Sequence, residues 1–519
     1  MIRHLLSKRY VRIILWLFIT AITLALLLYA WINWSGRRRW AETKAMIEKE
    51  GETFDFRKVL PKTPPEAQNL LAIEALRGIT ETVDHDDKKG EPGAKRKALE
   101  AMKLEAASVK MPALTGVEKG QTSDIQEWVK YLRDGKTVVL PEAPAVAGTE
   151  ILTTLDAKFP LLKELSDLAP QRSQSMFIPG LAERELPEML LSLPLHHYSG
   201  AQSLNRMLLL RARAAIDAKQ GAEAARSLLA AEKISLACEA EPLLIGCLVG
   251  IAGEAMVNEG LWLGLRDKAF AEPELLLLQN QLAAHDLDKA VLQAFRGEMA
   301  CGIDAMNYLQ DVAAGRKKLA PGIGSMFGEG KRSKSLETLS ALPGGIFDHW
   351  KSVIAEQEWK HSLSPLRQGG VMAAVKADEG LSKDLKANQN FILHPDYIMA
   401  RLMLPAISSV STSAALAQVR ERQALTAIAL ERFFLKHSKY PAALQELVPD
   451  FVSAVPQDPV DGKPLRYRTT DAGRYMIWSL GLDGQDDQGE IKKNTVPMKS
   501  PDYRGDWTWK YEATETAAK

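Results

Sequence analysis

Four carboxylates crowd the stretch WSLGLDGQDDQGE, residues 478 to 490, where an apolar run gives way to Asp483, Asp486, Asp487 and Glu490 between glycines. Such a turn can gather a hard cation, pair carboxylates for acid–base work, or stay solvated. Calcium takes about six to eight oxygens in irregular geometry. Asp483 with Asp486, Asp487 and Asp506, the last in a later GDW, could begin such a shell. An EF-hand is excluded: Gln485 and Gln488 stand where an acidic or Asn ligand and the glycine are required. A catalytic carboxylate pair has no His or second convergent group nearby to work with. A calcium loop and a solvated turn both stay open.

Other reactive residues give less. Cys238, Cys247 and Cys301 fall in apolar helical sequence without CxxC or a His at ligand spacing, and read as small buried hydrophobes. His196 and His197 are adjacent, so on a helix they point to different faces, and no HExxH accompanies them. GIGSMFGEGKR places Ser325 where a phosphate-binding loop needs its first glycine and Arg332 where the Ser or Thr must follow the Lys, so no nucleotide is expected. No GxSxG appears, and no catalytic residue is nominated. With 66 Lys plus Arg against 65 Asp plus Glu, whole-chain charge makes no case for nucleic acid.

The elements that must carry these residues begin in a membrane. IILWLFITAITLALLLYAWINW, residues 13 to 34, holds no charge, and its helix of about 33 Å would cross a hydrocarbon core of about 30 Å. Trp31, Trp34 and Trp40 with Arg37, Arg38 and Arg39 supply interfacial anchors, and no small-residue cleavage site follows, which favours an uncleaved anchor over a signal peptide. Basic residues flank both sides, so charge alone does not orient the chain. The next most apolar stretch, residues 243 to 256, is cut by Glu254 and suits a buried core helix, leaving a single-pass chain.

The soluble sequence is predicted to be mainly α. Residues 37 to 395 read as an irregular helical domain with loops near 84–97 and 311–345. PKTPPEAQN (61–69) should open a helix over 70–79, and residues around 202 to 237 should form a helical pair turning at Gly221. This pair faintly resembles one tetratricopeptide unit, without a sustained repeat. From about Asp396 a long helix follows, kinked or broken at Pro405, with an apolar stripe through Ile407, Val410, Ala414, Ala417, Leu425, Ile428 and Phe433. A short helix after Pro441 and a hairpin, LRYRT (465–469) with YMIWS (475–479), complete a small α+β module over 396 to 519.

This last segment resembles the soluble part of the type II secretion major pseudopilin. Tyr440, Pro441, Leu444, Leu447, Pro456, Asp458, Pro459, Gly462, Pro464, Tyr467, Ser479, Leu480, Gly481, Asp483 and Gly484 carry the likeness, over residues 400 to 490. The resemblance implies a pilin-like module whose loop binds calcium through Asp483 and, by backbone oxygen or hydroxyl, Leu480 and Ser479. The membrane helix lacks the Gly–Phe junction and the following Glu of that family, so polymerisation is not expected. The whole layout also resembles large membrane-anchored bacterial proteins that end in the same module, which brings no biochemistry. The function expected is a single-pass protein of the inner (cytoplasmic) membrane with its soluble part in the periplasm. It would act as a non-enzymatic scaffold or a binder of an envelope protein, linked to secretion or pilus-like machinery. An enzyme with an unrecognised site in the helical domain is the alternative.

Overall fold

No proline interrupts residues 8 to 49, and the computed structural model shows one helix, α1 (Lys8–Lys49), running through both the apolar and the charged segment. The structure describes residues 8–76, 125–127, 129, 147–183, 186, 190, 195–318, 340–471, 473–490, 503 and 505–511. The expected loop at 84–97 and the GIGSMFGEGKR stretch lie outside them. The most apolar part of α1 buries nothing against the protein, as a lipid-facing helix requires. Beyond Ile32 its character changes, and Gly36, Thr43 and Ile47 are buried.

The body is built from helices. In chain order these are α2 (Phe56–Val59), α3 (Ala147–Lys158), α4 (Pro160–Leu168), α5 (His196–Asp217), α6 (Gly221–Glu239), α7 (Leu244–Arg266), α8 (Glu272–Ala283) and α9 (Leu287–Ala313). Then follow α10 (Gly344–Glu358), α11 (Ser364–Ala387), α12 (Ile398–Met403) and α13 (Pro405–His437). The pair α5–α6 forms as the sequence predicts, but Gly221 is not its turn residue. Lys219 takes the left-handed conformation (φ 59°), while a Cβ on Gly221 would lie 2.0 Å from the Ala269 carbonyl oxygen. The glycine serves close approach, not turning.

The helix expected over 70–79 does not form across the described residues 70–76. Asn69 intercepts it: its side-chain oxygen accepts from Leu71 N (3.1 Å) and Met176 N (2.9 Å), and its amide donates to Met176 O (3.0 Å). A side chain that satisfies backbone groups in this way offers the chain an alternative to helix. Pro405 breaks the later helix, as expected, separating α12 from α13.

Three antiparallel strands, β1 (Arg466–Thr469), β2 (Tyr475–Ser479) and β3 (Trp507–Lys510), form a sheet in the order β1-β2-β3. The hairpin matches the expectation, with Tyr467 opposite Ile477 and Gly473 at φ 68°. The sequence reading contained no third strand. Expected alternation also gives way in β2, every residue of which is buried. Tyr475 and Ile477 join the core with α13, while the acidic loop covers the other face, where Gly489 sits against Met476 and Trp478.

Two apolar cores meet along α13. Val410, Ala414 and Val419 pack with α9, α10 and α11, whereas Ala424, Ile428 and Phe433 pack with α5 to α8 and the sheet. Trp262 of α7 is fully buried, donates from Nε1 to Lys510 O (3.0 Å) and stacks on Tyr511 at 5.5 Å. The sheet and the helical body therefore share one interior. Trp262→Ala should cost about 3–5 kcal/mol and lower the melting of sheet and body together. Separate transitions in calorimetry, with only the sheet's lowered, would count against a shared core.

Candidate metal centre

Helix α6 carries Glu232 and Glu239 seven residues apart, a spacing that returns to the same face after two turns. Helix α7 supplies Glu254, α13 supplies Glu421, and the short connection between α8 and α9 supplies His285. All five meet inside the body. Glu232, Glu239, Glu254 and Glu421 are buried, and the His285 side chain is 7% exposed.

Small residues on α7 make the meeting possible. A Cβ on Gly250 would fall 2.1 Å from Glu239 Cγ, and one on Gly253 would fall 2.2 Å from Ser235 Oγ. Asn205 of α5 donates to that same Ser235 hydroxyl at 3.0 Å. With no side chain at either glycine, α6 comes close to α7 and Glu239 has a place to lie.

His285 sits between the carboxylates. Its Nε2 lies 2.9 Å from Glu239 Oε2, and its Nδ1 lies 3.1 Å from Glu254 Oε1 and 3.3 Å from Glu421 Oε2. Ligand atoms of Glu239, Glu254 and His285 all fall within 4.8 Å of one another. Glu421 joins this group through His285 Nδ1, and among the described residues no His, Cys, Asp and Glu group outside these five converges so closely.

The electrostatics follow from burial. Desolvation pushes the Glu232 carboxyl up to about 7, helped by the charges of Glu239 and Glu421 and opposed by His285. Burial likewise raises Glu239, and it raises Glu254 well above the usual carboxylate range, with Glu239 and Glu232 adding repulsion. For His285 burial opposes the charge, but the hydrogen bond with Glu239 and the close carboxylates of Glu421 and Glu254 outweigh it, pushing it up to about 12. The arrangement wants positive charge at its centre. None of the five residues lines a described cavity.

The residues nominated from sequence lie elsewhere. Ser479 Oγ donates to Asp458 Oδ1 at 2.8 Å, and Leu480 N donates to Asp458 Oδ2 at 3.2 Å. Asp458 is fully buried and also holds Arg466 at 2.5 Å, so it clasps the end of β2 to the start of β1. Asp483 Oδ1 accepts from Gln485 N, closing its own turn. Asp486 Oδ1 accepts from Trp478 Nε1 (2.9 Å) and Gln488 N (2.9 Å). Asp506 Oδ2 accepts from Gly489 N at 2.8 Å, and burial, with the charges of Asp486 and Asp487, pushes its carboxyl up to about 6. Asp506 thus feels the charges of Asp486 and Asp487, whereas Asp483 turns back on its own loop.

His197 is buried against Glu241 (Nε2 to Oε1 2.9 Å), which also accepts from Tyr198 Oη at 2.6 Å. The three cysteines are buried and unbridged, and burial raises each thiol. Sequence reading missed the five-residue cluster. Glu254 was visible as the acid that cuts an apolar run, and Glu232 and Glu239 stand in equally apolar sequence, but His285 in AAHDLD carries no signal.

Gly250→Val should displace Glu239 and destabilise the chain by about 1–3 kcal/mol. Ala252→Ser, on the exposed side of the same turn, should stay within about 0.5 kcal/mol. Urea unfolding of both variants checks the difference, and equal midpoints would remove the packing argument. The chain matches no family model, and no curated protein or solved structure shows significant similarity to it.

Proposed function

We propose that the chain is a single-pass, membrane-anchored envelope protein, a non-enzymatic scaffold or partner-binding component whose body stands in the periplasm on an inner membrane. The joint between anchor and body carries this reading. Gly36 and Gly345 allow α1 and α10 to touch: a Cβ on Gly36 would lie 2.1 Å from Gly345 O, and one on Gly345 2.3 Å from Ile32 O. Further along, Ser35 Oγ meets His349 Nε2 at 3.1 Å, and Arg39 pairs with Glu356 (2.8 Å) and Asp396 (2.9 Å). The body thus begins level with the last residues of the apolar segment, without a spacer.

An exposed apolar turn supports the same placement. Phe391, Ile392 and Leu393 are 64%, 76% and 72% exposed in the turn before Pro395, whose carbonyl accepts from Trp350 Nε1 at 2.8 Å. Asp396 is held by Arg39, which lies about 7.5 Å along α1 from Trp34 at 1.5 Å per residue. The tripeptide sits in a turn closed by His394 N donating to Asn390 O at 2.8 Å, and its exposed apolar side chains would gain by leaving water at a bilayer surface.

The link to secretion or pilus-like machinery rests on the residues of the C-terminal segment, and the Asp458 clasp supports a built function for that motif. Helix α13 is covered along much of its length by the body, which disfavours a pseudopilin that packs such helices in a filament. Calcium remains a proposal for the acidic loop: Asp506 is fully buried, and its Oδ1 has no hydrogen-bond partner. The enzyme alternative draws on the perturbed Glu–His cluster, but its enclosure favours a structural role.

Three measurements test these readings. Photocrosslinkers on the body in intact membranes should recover one specific envelope protein; no such protein, together with turnover of a small molecule, would sink the scaffold. A nitroxide at Ile392→Cys, in a chain whose native cysteines are buried, should be accessible to oxygen and shielded from an aqueous nickel chelate in vesicles. The reverse pattern would remove the lipid contact. Millimolar calcium should raise the melting temperature of the full chain, and Asp506→Asn should abolish the rise; an unresponsive wild type leaves a solvated turn.

A further inference from the structure

We propose that the buried Glu254, His285 and Glu421 bind one first-row divalent transition metal as a structural centre, with Glu239 orienting the imidazole and Glu232 supplying a further oxygen or balancing charge. The inference does not depend on the membrane reading.

Geometry argues first. Around a metal about 2.0–2.2 Å from its nitrogen and oxygen ligands, neighbouring donor atoms stand about 3.3–3.6 Å apart in a tetrahedral shell and about 2.8–3.1 Å apart in an octahedral one. His285 Nδ1 lies 3.1 Å from Glu254 Oε1 and 3.3 Å from Glu421 Oε2. Despite these short separations, Nδ1 makes no hydrogen bond of acceptable geometry. Oxygens that crowd a ring nitrogen without the alignment of a hydrogen bond leave room for a shared cation between them.

The other ring nitrogen behaves as a ligating histidine's does. Nε2 and Glu239 Oε2 are 2.9 Å apart, the carboxylate–histidine pairing that fixes ring orientation and leaves the opposite nitrogen free to ligate. Glu232 is the independent observation. It is 2% exposed, both its carboxylate oxygens lack a hydrogen-bond partner, and its electrostatic neighbours are His285, Glu239 and Glu421. A buried carboxylate left so is costly unless a cation or a proton meets it.

Ligand chemistry selects the metal class. Imidazole with carboxylates suits zinc, manganese or ferrous iron, whereas calcium and magnesium prefer all-oxygen shells. The four glutamates come from three helices and His285 from the connection to a fourth. A cation here would tie α6, α7 and α13 to the α8–α9 turn, and because the four glutamates are buried and the His285 side chain is 7% exposed, the centre is read as structural.

The test uses the full chain in detergent, stripped with a chelator and titrated with Zn²⁺ and with Co²⁺. About one equivalent of either should bind, with visible Co²⁺ ligand-field bands and a raised melting temperature that Mg²⁺ does not reproduce. Glu254→Gln and Glu421→Gln keep side-chain shape and should each weaken binding at least about tenfold, as should His285→Gln, while Glu239→Gln should weaken it about 10- to 100-fold by loosening the ring. Asp506→Asn should leave zinc binding intact, which separates this centre from the acidic loop. A folded wild type that takes up no zinc or cobalt overturns the proposal and leaves a histidinium ringed by glutamates. Binding that survives both Glu254→Gln and His285→Gln overturns it equally. If a variant fails to fold, the wild-type cobalt spectrum and the chelator-induced fall in melting temperature still decide.

Discussion

Everything in the helical body has to accommodate four carboxylates placed where water is excluded. Burying an ionised carboxylate without a counter-charge is among the most expensive things a fold can do, so the surrounding elements are arranged to supply one. His285 brings positive charge to the centre, and α7 yields space through Gly250 and Gly253 so that α6 can carry Glu239 inward. A cluster of this kind adds little net stability when compared with apolar packing, but it makes misassembly costly, because any helix out of place strands a charge. Register between α6, α7 and α13 is thereby fixed by electrostatics as well as by apolar contact.

Helix α13 spreads that constraint through the molecule. Its first half lies in the core shared by α9, α10 and α11, and its second half lies in the core that includes the C-terminal sheet. Glu421 stands near the crossing from one to the other, next to Arg420 and Gln423, which donate to the carbonyls of Thr508 (3.1 Å) and Trp507 (2.6 Å) in β3. Within a single turn, α13 faces the acid cluster and also holds the edge of the sheet. Residues on the two sides of position 396 therefore pack as neighbours, even though the sequence suggests a boundary there.

Much of the architecture was legible where local chemistry decides it. The charge-free run at 13–34, the pairing around 221, the break at Pro405 and the hairpin at 465–479 each depend on residues close in sequence, and each appears. Local reading failed where distant groups intervene. Asn69 trades helix for contacts with Met176, more than a hundred residues away, and β3 forms only because β2 offers it a free edge. The candidate centre was less legible still. Carboxylates spaced by glycines drew attention to residues 483 to 490, while the acids that converge are spread over α6, α7 and α13, far apart in sequence. A lone Glu in an apolar helix is the signal to follow, since the helix buries it only if something meets it.

The same logic bears on the apolar N-terminal helix. A helix joined by a flexible linker transmits nothing to its body, but α1 continues unbroken for fifteen residues past Trp34 and is held by close glycine packing and by Arg39. Its partner α10 packs on α9 and α12, and α9 begins directly after the turn that carries His285. The apolar end of α1 is therefore connected to the charged interior by a short run of packed helices. Such a run is stiff only if its junctions are, and the least substitutable junctions are those made of backbone: Gly36 on Gly345, and Gly297 of α9 beneath the Pro242 carbonyl. Side-chain packing can relax around a mutation, whereas two backbones in contact cannot, so these positions determine whether the body moves with its anchor or apart from it.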